Sequence, residues 1–199
     1  GDDEALALIN AGSMPVTLAG WGIGDGPAAD GLLPDLTLAP HSVLWIADHA
    51  AAFEQAFGFV PDVAAVAGTY DLPLLGGRWP GFTNSGEQAL LFKDGGRVDT
   101  LVYGDEIATE EGWFGEAVSY PVPGFGRAGQ VLYRKRDEQS GLLVADTDRG
   151  SDWANDAAPG EALYGPVHSG DLEGKRVAYP GWDWTPYTGT FEITSTGWL

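Results

Sequence analysis

The chain has no cysteine, one methionine, three histidines and only 10 Lys plus Arg among its 199 residues. Without cysteine there is no disulfide framework, no zinc–thiolate site and no thiol nucleophile. Against those 10 cations stand 29 Asp plus Glu, a net charge of −19. Such a surface repels phosphate backbones and anionic lipid, which argues against direct binding of nucleic acid. No apolar run approaches the roughly 20 residues of a membrane span. The first residues, Gly1-Asp2-Asp3, carry no basic-then-apolar signal segment. What is present is a 44% hydrophobic content with 8 Trp, 7 Tyr and 8 Phe, which excludes a disordered acidic tail. At this length roughly 70% of the unfolded surface can be buried, enough for a core without covalent staples.

Glycine (30) and proline (13) divide the chain into short segments. One helix is expected, over residues 48–58, with Asp48 as N-cap and Gly58 just past the last turn. Phe53 and Phe57 are spaced to share one face, and Ala50, Ala51 and Ala52 favour helix over strand. Strands are expected at residues 5–11, 15–21, 42–47, 88–93, 97–103, 130–135, 142–145, 175–179 and 190–194. The continuous apolar run at 42–47 suits a strand buried on both faces. Asp94-Gly95-Gly96 between 88–93 and 97–103 is a hairpin signal, because these residues tolerate the positive φ of tight turns. Short strands, frequent Pro-Gly turns and little helix predict an all-β antiparallel sandwich. The stretch from 156 to 171, rich in Ala, Pro and Gly, is the best boundary. Beyond it lies an aromatic tail with Tyr179, Trp182, Trp184, Tyr187, Phe191 and Trp198. The end at Trp198-Leu199, just after a strand-like run, reads as a piece of a longer protein.

Several motifs, in order, resemble a lamin-tail domain. Residues 5–12 (ALALINAG) match a first strand that ends in Asn and a turn, and 16–25 (VTLAGWGIGD) match a second strand leading into Leu-x-Gly-Trp. An apolar strand follows a Leu-x-Pro turn at 38–47, and then a Phe-rich short helix at 53–58. The hairpin runs from Phe82 through Asn84, Ser85, Gly86 and Leu90 to Asp94-Gly95, then Val98-Asp99 and Tyr103. Residues 130–160 are similar to a family extension that passes from an Arg-bearing strand through an acidic loop to Pro-Gly. The resemblance covers roughly residues 4–160. It implies an immunoglobulin-like β-sandwich over 1–160, with 161–199 as an extension toward a further domain. It also implies a bacterial, extracellular or envelope location and an accessory role beside a hydrolase. The part from Lys175 onward resembles the lead-in to a phospholipase-D-like domain. That domain's His-x-Lys motif is missing, since Lys stands only at 93, 135 and 175 and none is two residues after a His. The family offers no catalytic residues to carry over.

The residues themselves offer few catalytic candidates. His41, His49 and His168 lack a nucleophile elbow, and His41 and Ser42, adjacent on a strand, point to opposite faces. Asp105-Glu106 and Glu110-Glu111 read as solvated loop acids. Asp146, Asp148 and Asp152 alternate around Gly150 and could gather hard oxygen ligands for a weakly held Ca²⁺. Arg149 stands where a further ligand belongs, and no Glu closes the loop. Arg134-Lys135-Arg136 reads as a charged edge that discourages strand pairing. Trp182 and Trp184 would share a face of a strand and could form a sugar platform, or pack against a neighbouring domain. The expectation is a non-enzymatic module whose partner is a neighbouring domain of the same polypeptide, a protein or a polysaccharide. A carbohydrate-binding module and a fragment of a phosphodiesterase or nuclease are the alternatives.

Overall fold

The structure, a computed structural model, describes residue 2 and residues 4–83, 85–107, 111–118, 132–135 and 143–155. The expected boundary near 160, and the strands expected at 175–179 and 190–194, lie outside these residues.

The chain folds as two facing β-sheets with one short helix. Among the described residues twelve strands are formed: β1 (Ala5–Ile9), β2 (Val16–Thr17), β3 (Trp21–Gly24), β4 (Gly31–Leu32), β5 (Thr37–Leu38), β6 (Val43–His49), β7 (Val63–Val66), β8 (Gly76–Gly77), β9 (Gly86–Lys93), β10 (Gly96–Gly104), β11 (Leu132–Arg134) and β12 (Trp153–Asn155). The helix α1 (Ala50–Phe57) lies between β6 and β7. A three-stranded sheet runs β1-β6-β7 and a five-stranded sheet runs β10-β9-β3-β4-β8, with β2-β5 and β11-β12 as separate ribbons. The pairing is antiparallel except for β6 with β7, which are parallel. An antiparallel neighbour can follow through a tight turn, but a parallel one needs a crossover, and α1 supplies it.

β6 is covered on both sides, as its unbroken apolar run predicts. Leu44 and Ile46 face the inter-sheet core with Ile23 of β3, Leu18, Leu38, Val63 and Leu75. Val43, Trp45 and Ala47 face the other way, onto α1. Phe53 and Phe57 stack with ring centroids 4.5 Å apart, and Trp45 meets them at 5.6 and 5.9 Å. Gly58 ends the helix in the left-handed region (φ 80°), its N–H donating to the Glu54 carbonyl at 2.8 Å. The N-cap is His49 and not the expected Asp48. β6 continues through Asp48 and His49, so Asp48 is still extended strand, and its N–H donates to the Glu4 carbonyl.

Polar side chains in this core serve the backbone. Asn10 is buried at the end of β1, and its amide donates to the carbonyls of Met14 (2.8 Å), Leu38 and Ala39 (both 3.1 Å). Its Oδ1 accepts the Gly12 N–H at 3.0 Å. Asp62 accepts the Trp45 N–H at 2.7 Å and returns its own N–H to the Trp45 carbonyl at 3.0 Å, setting where β7 begins beside β6.

The Asp94-Gly95 hairpin forms as predicted. Lys93 and Gly96 pair, and Asp94 and Gly95 both take positive φ (51° and 78°). Those signs are what a two-residue turn of matching twist requires. The strand expected over 15–21 divides into β2 and the start of β3, because a turn at Leu18–Trp21 closes with the Trp21 N–H on the Leu18 carbonyl.

Phe53 is fully buried at the centre of an aromatic group. Phe53→Ala should therefore cost about 3–5 kcal/mol, read from urea denaturation. The half-buried Phe57 truncated in the same way should cost visibly less.

Candidate functional site

The chemically richest place is the seam where the loop at 143–152 crosses β10. β10 is an edge strand carrying a register shift between Arg97 and Asp99. That irregularity re-aims the strand where Asp99 sits. Asp99 Oδ1 accepts the N–H of its neighbour Thr100 at 2.7 Å. Carboxylate oxygens of Asp99, Asp146 and Asp148 lie within 4.8 Å of one another. Asp148 takes a positive φ of 55°, and its N–H donates to Asp146 Oδ1 at 3.1 Å.

Sequence spacing groups Asp146 and Asp148 with Asp152, but the structure groups them with Asp99. Asp152 turns inward and is buried. It accepts the N–H of Thr147 at 2.7 Å, the Thr147 hydroxyl at 2.9 Å and the N–H of Arg149 at 3.3 Å. The carboxylate is thus used up in folding the loop. Burial pushes its pKa up, but the donors from Thr147 and Arg149 outweigh that and hold it below the ordinary value. Asp99 shows the reverse: burial and the neighbouring Asp146 raise its pKa, against the lowering pull of the Thr100 N–H and Arg134.

Arg134 is the cation that answers this charge. It lies in β11, half of a two-stranded ribbon with β12, and its side chain is only 12% exposed, so it is not the solvated cation that the basic run suggests. Its guanidinium meets Asp146 at 2.8 Å, donates to the Val144 carbonyl at 3.2 Å and lies 5.4 Å over the Trp153 ring. Lys135 donates to the Ser151 carbonyl at 2.8 Å. Arg136 lies outside the described residues. Three carboxylates can hold a hard cation only if carbonyls or waters complete its six to eight ligands. Here Arg134 already occupies one of the oxygens of Asp146.

Beside the loop is an open depression of about 380 Å³, lined among others by Phe114, Glu116, Arg149, Ser151 and Trp153. Arg149 stacks over Phe114 at 5.8 Å.

The other candidates are dispersed. His41 lies just before β6 and His49 at its end, roughly 25 Å apart along an extended strand. The Ser42 hydroxyl donates to the Ala39 carbonyl at 2.7 Å, and His49 sits 3.3 Å from Asp48. Glu111 contributes its carbonyl, which accepts from Arg97 and Thr100. His168, Glu110, Trp182 and Trp184 lie outside the described residues. Asp99 is the site member that spacing misses. The only local signal is a carboxylate inside an apolar strand.

Asp99 and Asp152 should respond oppositely to loss of charge. Asp152→Asn places an NH₂ against backbone donors and should cost about 2 kcal/mol at pH 7. Asp99→Asn removes a charge held against two others and should add about 0.5 kcal/mol. Asp152, with its lowered pKa, contributes stability above the unfolded carboxylate value and loses it as pH falls through the folded one. Asp99, with its raised pKa, imposes a penalty that vanishes as pH falls through the folded value. Urea titrations of both variants from pH 7 to pH 3, in chelator, should therefore show both differences shrinking toward acid. No protein-family model, curated protein or solved structure matches this chain.

Proposed function

We propose that the chain is a non-catalytic interaction module of a multidomain secreted or surface protein. In this reading it is a lamin-tail-like sandwich that positions a neighbouring hydrolase domain of phospholipase-D-like chemistry. The observation that supports the reading is how the buried polar side chains are used. Asn10, Asp62 and Asp152 each bind backbone groups and fix a turn, a strand start and a loop. A catalytic group needs a free, aimed functional atom within reach of a partner. The 199-residue chain should show no turnover of phosphodiester or glycoside substrates above buffer. Turnover that follows the purified chain and disappears on a single substitution overturns the reading.

A second reading is that Ca²⁺ fastens the loop at 143–152 to β10. It is supported by the approach of Asp99 to Asp146 and Asp148. Millimolar Ca²⁺ should then raise the melting temperature by about 2–4 °C over chelator. Asp99→Asn should abolish that rise, and an unchanged melting temperature in the parent chain removes this reading.

A further inference from the structure

We propose that β1 is a strand-addition site whose occupant is an extended, cationic peptide segment. The proposal deepens the reading of the chain as an interaction module by naming where it binds and what kind of partner.

The argument begins with hydrogen-bond parity. In an antiparallel pair, residues alternate between those that exchange hydrogen bonds with the partner strand and those whose N–H and C=O point away. β1 pairs with β6 in the register Ala5↔Ala47, Leu6↔Ile46, Ala7↔Trp45, Leu8↔Leu44 and Ile9↔Val43. Just beyond its ends, the Asp48 N–H donates to the Glu4 carbonyl and the Asn10 N–H to the Ser42 carbonyl. The even-numbered residues therefore bond to β6. β6 agrees from its other side: Trp45, opposite Ala7, gives its N–H and its carbonyl to Asp62, on the flank of β7. Ala5, Ala7 and Ile9 must then direct their N–H and C=O groups away from the sheet.

Among the described residues that side of β1 is the open edge. The sheet order is β1-β6-β7, and no described residue hydrogen-bonds to the outward groups of Ala5, Ala7 or Ile9. The strand, ALALI, holds no charge, proline or bulge, the devices that usually discourage pairing at an edge. It offers three donors and three acceptors in register to an incoming strand.

Charge identifies the occupant. The first 77 residues contain ten Asp and Glu and no Lys or Arg, so β1, β6, β7 and α1 all come from a segment without a cationic side chain. Glu4 and Asp48 stand opposite each other at one end of the edge, the Glu4 carboxylate accepting the Trp79 Nε1–H at 2.9 Å and the Asp48 carboxylate lying 3.3 Å from His49. A second copy would bring two chains of net charge −19 together over a five-residue strand. A cationic peptide gains the same main-chain bonds with attraction in place of repulsion.

The probe is a fluorescent hexapeptide alternating lysine and valine, titrated into the full chain at low and high salt. It should bind, bind more weakly as salt rises, and slow amide exchange at Ala5, Ala7 and Ile9 but not at Leu6 or Leu8. A glutamate–valine peptide should not bind. Ala7→Pro removes one outward N–H without touching a bond to β6, and should weaken binding about tenfold. Independently of any variant's folding, a lysine–valine peptide N-methylated at alternate residues should fail to bind. Absence of binding, or binding without protection at β1, overturns the proposal. So does a dimer joined through β1 that tightens with salt. None of these results bears on turnover, so the strand-addition site can fail while the non-catalytic reading stands.

Discussion

From Val43 to Ala47, β6 has no face that meets water, and the arrangement of the other elements follows from that. Alternate side chains of one strand must be covered by two different layers. On one side Leu44 and Ile46 require the five-stranded sheet, reached through Ile23 and Leu75. On the other side Val43 and Trp45 require a second cover, which α1 provides with Phe53. Because that cover is a helix connecting β6 to its next neighbour, β7 arrives parallel. Among the described residues β1 is left as the only strand on the remaining flank of β6. The open edge thus results from the same demand that builds the core.

The five-stranded sheet meets a different requirement. Its outer side, near β10, is covered by a small cluster of Val102, Trp113 and Val118, with Leu132 and Trp153 packed against it. The loop at 143–152 is tied to this cluster by Arg134 and shaped by Asp152. Two carboxylates of the same loop, Asp152 and Asp148, therefore have unlike surroundings. One is saturated with donors, and the other shares its space with Asp146 and Asp99.

What the sequence made legible was local. The Asp94-Gly95 turn could be read because both residues of the turn are adjacent and their conformational preference is intrinsic. Phe53 and Phe57 could be read because helical period alone places them together. β4 and β8 could not, since Gly31–Leu32 and Gly76–Gly77 carry no side-chain pattern and are strands only through their pairing. The same limit governs the acidic seam. Asp146 and Asp148 are two residues apart and visible as a group, whereas Asp99 joins them through the path of β10. Asp152 reads as a third ligand because spacing cannot tell a carboxylate facing outward from one folded onto Thr147. Arg134 reads as part of a charged edge because its strand partner, β12, lies 19 residues further on from Arg134 at Trp153.

The order of strands along the chain also bears on how the protein is made. β1, β6 and β7 are all in hand by Val66, but β3 has to wait for β9, which ends at Lys93. During vectorial synthesis the three-stranded sheet and α1 can assemble while Leu44, Ile46 and Val63 still lack their opposing layer. The nascent chain then presents an apolar surface until the β9–β10 hairpin emerges and β9 pairs with β3, holding Ile23 opposite it. Because that hairpin turns on two adjacent residues, it forms within microseconds once both of its arms have emerged.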